Sequence, residues 1–249
     1  MKYFLYIRIF TTGDDRKRAQ SMDLSEALRE TAAIREFTDE PVPDEMLYRI
    51  LETARFAPSG GNRQGWHVIA VRDAALKRSM RELYQPGWLE YLAMVSAGLV
   101  AWSPVADPDA EAAALNAAPR EEHVALFARQ FERVPAMLVV LADPRELAAP
   151  DRDHGRYTIA GGASVYPFVW SILLAARGEG LGGVMTTMHI RREAQVKKLL
   201  NVPDELALAA VVFLGHPLRR PSRLRRSPVP GFATFDTYDG ATVSLNSQV

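Results

Sequence analysis

The residues best placed to do chemistry stand at a turn. Between Ala54 and Val71 the chain reads ARFAPSGGNRQGWHVIAV, a helical pattern that stops at Pro-Ser-Gly-Gly and passes through Asn62 and Gln64 into a strand pattern. Glycine lets a backbone approach a ligand closely, and Ser59, Asn62 and Gln64 carry both donors and acceptors. Pro, Ser, Gly and Asn also favour ordinary turns, so composition alone leaves a plain helix–strand loop as an equal alternative. A second glycine-rich stretch, ARGEGLGGVMTT at Ala176–Thr187, spells G-x-G-x-x-G at Gly178, Gly180 and Gly183. A dinucleotide fingerprint needs strand, turn and helix in that order. Here the helical run YPFVWSILLAARG leads into the glycines and a strand leaves them, so a dinucleotide fold is not expected. Gly178 is expected as the left-handed residue that ends the helix.

Other chemistry is thin. The run RRPSRLRR at Arg219–Arg226 offers guanidinium forks suited to a phosphate; a solvated basic tail is the alternative. The five histidines show neither H-x-x-x-H nor H-E-x-x-H spacing, and no metal site is expected. There is no cysteine, which excludes disulfides, thiolate catalysis and cysteine-type zinc sites. GGASVY lacks the second glycine and the preceding strand of a nucleophile elbow. Trp88 and Tyr91, three apart on a helix, are expected to pack in the core.

These residues need elements to position them. The periodicity predicts helices at about 23–33, 44–56, 74–84, 88–99 and 157–177, and in REAQVKKLL. Strands are expected at Trp66–Arg72, Ala136–Asp143, LGGVMTT and Leu206–Gly215. Ser103–Glu122 reads as a long loop or short-helix insert, and a Pro- and Arg-rich tail ends the chain. Asp23, with Glu26 three residues on, forms a capping box for the first helix.

At 249 residues the chain has ample length for one sizeable domain. Residues 22–249 are expected to form it. Residues 1–21 are read as an arm outside the core, an over-extended start; the alternative is a strand pairing elsewhere in the fold. YFLYIRIF is too short to span a bilayer, and no small-residue cleavage site follows it. Lys plus Arg equals Asp plus Glu at 30 each, so no charge excess argues for a nucleic-acid partner. The expected compartment is the cytoplasm.

Four segments in order resemble the nitroreductase family of FMN-dependent oxidoreductases: AAIREF, then PVPDEMLYRILETARFAPSGGNRQGW, then GGASVYPFVWSILLAARGEGLGGVMTT, then LGHPLRRPSRLRRSP. The resemblance runs from about Asp23 to Val229. It implies an α+β, three-layer fold with a mainly antiparallel central sheet flanked by helices. It implies a homodimer with two FMN molecules at the interface, and NADH or NADPH as co-substrate. Carried over by position, Arg35 would lie near the flavin's pyrimidine edge, where its charge would favour the reduced form. Pro58, Ser59, Gly60 and Asn62 would come from the partner subunit or the turn. Thr186, Thr187 and Met188 would pass along the isoalloxazine edge, and Arg225 and Arg226 would bind the phosphate. The family's Arg and Ser upstream of Arg35 are replaced by Thr31 and Ala33. Thr31 can still donate through its hydroxyl, but a charge is lost; Arg29, the nearest cation, sits on a different part of the helix. His189 would be a simple polar contact near the flavin. The implied activity is ping-pong hydride transfer from NAD(P)H through flavin N5 to a nitroaromatic or quinone, with no catalytic side chain assigned. The alternatives are a reductive dehalogenase or FMN-consuming enzyme of the same fold, or a flavin-binding storage or sensor protein.

Overall fold

Two long apolar strands organise the architecture. The computed structural model describes residues 22–117, 126–221 and 224–245. Its helices are α1 Leu24–Glu30, α2 Asp44–Ala54, α3 Ala74–Ser96, α4 Pro108–Ala117, α5 Leu126–Gln130, α6 Tyr166–Gly178 and α7 Glu193–Leu199. The strands are β1 Trp66–Val71, β2 Ala136–Ala142, β3 Gly182–Thr186 and β4 Ala207–Gly215. They form one sheet in the order β1-β2-β4-β3, with every neighbouring pair antiparallel.

Every residue of β2 is buried, because helices cover both faces of the sheet. Side chains alternate between those faces. Leu138 and Val140 pack with Ile50 of α2 and with Val169 and Ile172 of α6. Met137, Val139 and Leu141 pack with Met80 and Tyr84 of α3 and Val196 of α7. The expected three-layer α+β arrangement is what the chain adopts. At the start of β1, Trp66 stacks on Phe168 of α6 at 4.5 Å between ring centroids.

The expected elements are present, with four shifts at their ends. Asp23 caps α1, accepting from the backbone N–H groups of Ser25 at 2.9 Å and Glu26 at 3.2 Å. The helix stops at Glu30, and Ala33 pairs instead with Gly183 of β3. The two helices expected at 74–84 and 88–99 are one. α3 runs through Pro86, whose missing N–H frees only the Glu82 carbonyl, while Tyr84, Gly87 and Met94 are buried along it.

The helix expected from 157 begins at Tyr166. Upstream, the Asp151 carboxylate accepts from the Ile159 and Ala160 N–H groups, the Thr158 hydroxyl and Arg156. Those backbone donors are thereby turned away from a helical ladder. The same bonds, led by that from Ile159, hold the carboxyl well below the usual carboxylate range.

The left-handed residue after α6 is Gly180 (φ +81°), not Gly178. Leu181 N–H donates to Ala176 C=O at 2.8 Å and Gly180 N–H to Arg177 C=O at 3.1 Å, a Schellman closure centred two residues later than expected. The arm at 1–21, including YFLYIRIF, and the end of the insert at 118–125 lie outside the described residues. Within the insert, α4 forms at Pro108–Ala117.

Candidate functional site

The segment that carries Thr31 and Arg35 is laid against β3. Ile34 N–H donates to Gly183 C=O at 2.9 Å, and Ala33 bridges to Gly183 in parallel. The close approach of this segment requires glycine at Gly182, where a Cβ would lie 2.8 Å from Ile34 Cγ1, while a Cβ at Gly183 would lie 2.7 Å from the Phe213 carbonyl oxygen of β4. Gly183 of the G-x-G-x-x-G pattern thus serves strand packing. The segment then pairs with the chain after β4, where Thr38 N–H donates to His216 C=O at 2.8 Å.

This path carries Arg35 alongside β3 in the direction of its Thr186 end. Tyr84 of α3 is 2% exposed. Burial pushes its hydroxyl pKa up, against smaller opposing pulls from the Thr186 hydroxyl and the Arg35 guanidinium. Sequence reasoning missed Tyr84. The available signal was its place at the head of an aromatic stripe on one helix face: Tyr84 stacks on Trp88 at 6.2 Å, and Trp88 on Tyr91 at 5.4 Å.

Beyond β3 the chain passes through exposed Thr187 to Met188, whose N–H has only a long 3.4 Å contact to Thr186 Oγ1. His189 then enters the core. It is fully buried between Tyr84 and Phe131, with Nε2 3.1 Å from the Met80 carbonyl oxygen. A carbonyl can only accept, so Nε2 carries the proton and Nδ1 does not. Desolvation lowers the His189 pKa to about 4, which keeps the ring neutral. It is a core histidine anchored to α3.

The Pro58–Asn62 turn is held by backbone N–H groups that donate to serine hydroxyls. Gly60 N–H donates to Ser164 Oγ at 3.0 Å, and Gln64 N–H to Ser59 Oγ at 3.0 Å. Gly61 (φ +62°), Asn62 (φ +55°) and Gln64 (φ +54°) are all left-handed. The Asn62 amide oxygen accepts from Gln64 Nε2 at 3.2 Å, and Pro58 is exposed.

The turn and the Arg35–Thr186 group are not brought together within one chain. The turn leads into β1 and Thr186 ends β3, and these strands are opposite edges of the sheet, with β2 and β4 between. Three strand spacings separate them by about 14 Å.

The tail splits as well. Arg219 pairs with Glu36 at 3.3 Å, and Arg220 donates to the Gly180 and Leu181 carbonyls. Arg225 and Arg226 are exposed, with Arg226 donating to the Arg225 carbonyl at 2.7 Å. Among the described residues no carboxylate pairs with Arg35, Arg225 or Arg226. Thr31 has its hydroxyl proton committed to the Ala27 carbonyl at 2.7 Å. It caps α1, and Ala33 adds no polar atom. A cavity of about 340 Å³ opens beside Arg35, lined by Phe37, Gln130, Phe131, Arg133 and Leu218 among others. Arg35 is the one candidate residue in its wall.

The architecture is shared with known proteins. A solved structure of an oxidised iodotyrosine deiodinase bound to FMN and 3-iodo-L-tyrosine superposes with a TM-score of 0.60 at 24% identity, over 87% of this chain and 100% of that one. An NADH dehydrogenase of Thermus thermophilus is 30% identical over 84% of this chain and 93% of its own. A putative NADH dehydrogenase/NAD(P)H nitroreductase of Archaeoglobus fulgidus is 28% identical over 74% of this chain and 80% of its own. The class is an α+β oxidoreductase. Within that class the chain belongs to the Nitroreductase family, whose pattern matches residues 28–216. No helix among the described residues is long and apolar enough to cross a membrane.

Proposed function

We propose that the protein is an FMN-dependent NAD(P)H oxidoreductase, acting as a cytoplasmic homodimer on an electron-poor acceptor such as a quinone or nitroaromatic. The observation that carries this reading is the exposed Arg35 guanidinium in the wall of the cavity of about 340 Å³, without a carboxylate partner among the described residues. A cation free of a carboxylate in a cavity wall suits an anionic or electron-rich ring edge. The donor set fits FMN with one amendment. Thr31 is committed to its own helix, so the phosphate falls to Arg225 and Arg226, which are exposed and, among the described residues, without carboxylate partners.

When bound, FMN would supply the hydride chemistry between NADH or NADPH and the acceptor. The chain's own groups bind and orient. Arg35 would hold the pyrimidine side of the flavin, where its positive charge would favour the anionic reduced form. Thr186, Thr187 and Met188 would hold the flavin's central edge, with the Met188 N–H, weakly engaged at 3.4 Å, available as a donor. The opposite-edge placement of Pro58–Asn62 favours a site completed by the partner copy's turn. Exposed Tyr166 and Trp170 on α6, and Phe232 and Tyr238 on the tail, are apolar surface for such a partner.

Titration of the purified chain with FMN tests the reading. Flavin fluorescence should be quenched at about one FMN per chain, and NAD(P)H should then bleach the bound flavin. A chain that leaves micromolar FMN fluorescence unchanged would end it.

A further inference from the structure

Four contacts hold the 3-10 turn Met188–Arg192 against α3. His189 Nε2–H points at the Met80 carbonyl oxygen at 3.1 Å. Arg191 and Arg192 reach Glu90 at 3.5 and 3.0 Å. Gly87 presents a bare Cα: a Cβ there would lie 3.4 Å from the Met188 carbonyl oxygen. The two ion pairs are at a partly exposed rim, where such pairs contribute little. The histidine contact is in the core, with Tyr84 and Phe131 rings at 5.2 and 5.8 Å, and a buried donor needs its acceptor.

Met188 N–H has no strong partner of its own. The path of Thr186–Met188 is therefore set by what fixes its two ends. On one side it is the ladder between β3 and β4, whose last pair is Thr186 with Val211. On the other side it is His189. We propose that His189 is a positioning residue: its Nε2–H, donated to the Met80 carbonyl of α3, fixes where the Thr186–Met188 backbone meets the bound cofactor. The inference rests on the reading that FMN lies along this segment.

The test compares the full-length chain with His189→Gln and His189→Leu. Glutamine carries an N–H donor at comparable reach, whereas leucine fills the space without one. Three quantities are read: amide hydrogen exchange of the 186–190 segment without FMN, the FMN dissociation constant, and the melting temperature. Leucine should speed exchange and weaken FMN binding by about threefold to tenfold each, the loss of one hydrogen bond. Glutamine should return both to within about twofold of the parent. A leucine variant indistinguishable from the parent in exchange and FMN affinity would overturn the proposal. So would a glutamine variant that melts like the parent yet exchanges fast and binds weakly. If leucine prevents folding, the glutamine result decides alone. Failure of the parent to bind FMN removes the cofactor reading, while the exchange comparison still decides whether His189 anchors the segment.

Discussion

At the β3 edge of the sheet, Arg35 and Thr186 are backed by side chains sunk in the core. Tyr84 of α3 is buried against His189, and His189 ties the turn after β3 to α3. At the β1 edge, Ser59, Gly60 and Asn62 sit on a turn whose shape comes from two hydrogen bonds and three left-handed residues. The first edge is positioned by packing, the second by left-handed backbone geometry and by individual hydrogen bonds, one of them to the buried Ser164 hydroxyl before α6. Interiors are close-packed and resist small displacements, while a surface turn depends on a few bonds of about 1 kcal/mol each. Substitutions at the two edges should therefore differ in size and in kind.

The largest expected effect lies behind the β3 edge and appears in stability against pH. His189 titrates near 4 folded, against 6.5 when free. Between those values the unfolded chain binds the extra proton, so stability is complete above pH 6.5 and falls as the pH drops towards 4. The span amounts to about 3 kcal/mol. Urea melts at pH 7 and pH 4.5 should show a drop for the parent that is distinctly smaller for His189→Gln.

Next in size is the tail. Arg226→Ala should weaken FMN binding by about 1.5–3 kcal/mol if it makes charged hydrogen bonds to the phosphate. Arg219→Ala should change affinity little, because its partner is Glu36 on the protein surface. Equal affinities for both variants and the parent would return Arg225 and Arg226 to a solvated surface.

At Arg35 the effect should be kinetic. Stopped-flow reduction by NAD(P)H should slow more in Arg35→Ala than FMN binding weakens, since the charge acts on the reduced form. Arg35→Lys should recover much of the rate. With the parent, initial rates against a quinone should give parallel double-reciprocal lines; intersecting lines would remove the shared-face mechanism.

The smallest effect belongs to the β1 turn. Ser164→Ala removes the acceptor for Gly60 N–H and should cost about 1 kcal/mol in a denaturant melt. A loss as large as that for His189 would erase the contrast between the edges.

The sheet was legible because β2 and β4 are apolar runs of strand length, and α1 because Asp23 is a capping residue in the right place. What was not legible lay in contacts distant in sequence. Pro86 and Gly87 read as a helix break, yet burial of Tyr84 and Met94 on either side holds α3 continuous. The start of α6 was displaced by Asp151, whose capture of Ile159 and Ala160 depends on a folded loop. The candidate residues from Arg35 to Arg226 followed a resemblance in motif order. Tyr84 and the anchoring of His189 are marked by no motif, since each is defined by partners on other elements. Thr31 was expected to keep a free donor, but its hydroxyl faces the Ala27 carbonyl one turn back.

The central claim is that each site joins the β3 edge of one chain to the Pro58–Asn62 turn of another. Subunit mixing tests it most directly. A chain carrying Arg35→Ala is unfolded and refolded with one carrying Ser59→Ala and Asn62→Ala, and FMN reduction is measured against each variant alone. If the edges meet across the dimer, a mixed dimer has one doubly altered site and one fully native site, and reduction at the parent's rate reappears in about half the sites of mixed dimers. If both edges serve the same site within one chain, every site in the mixture stays altered, and no parent-rate phase appears.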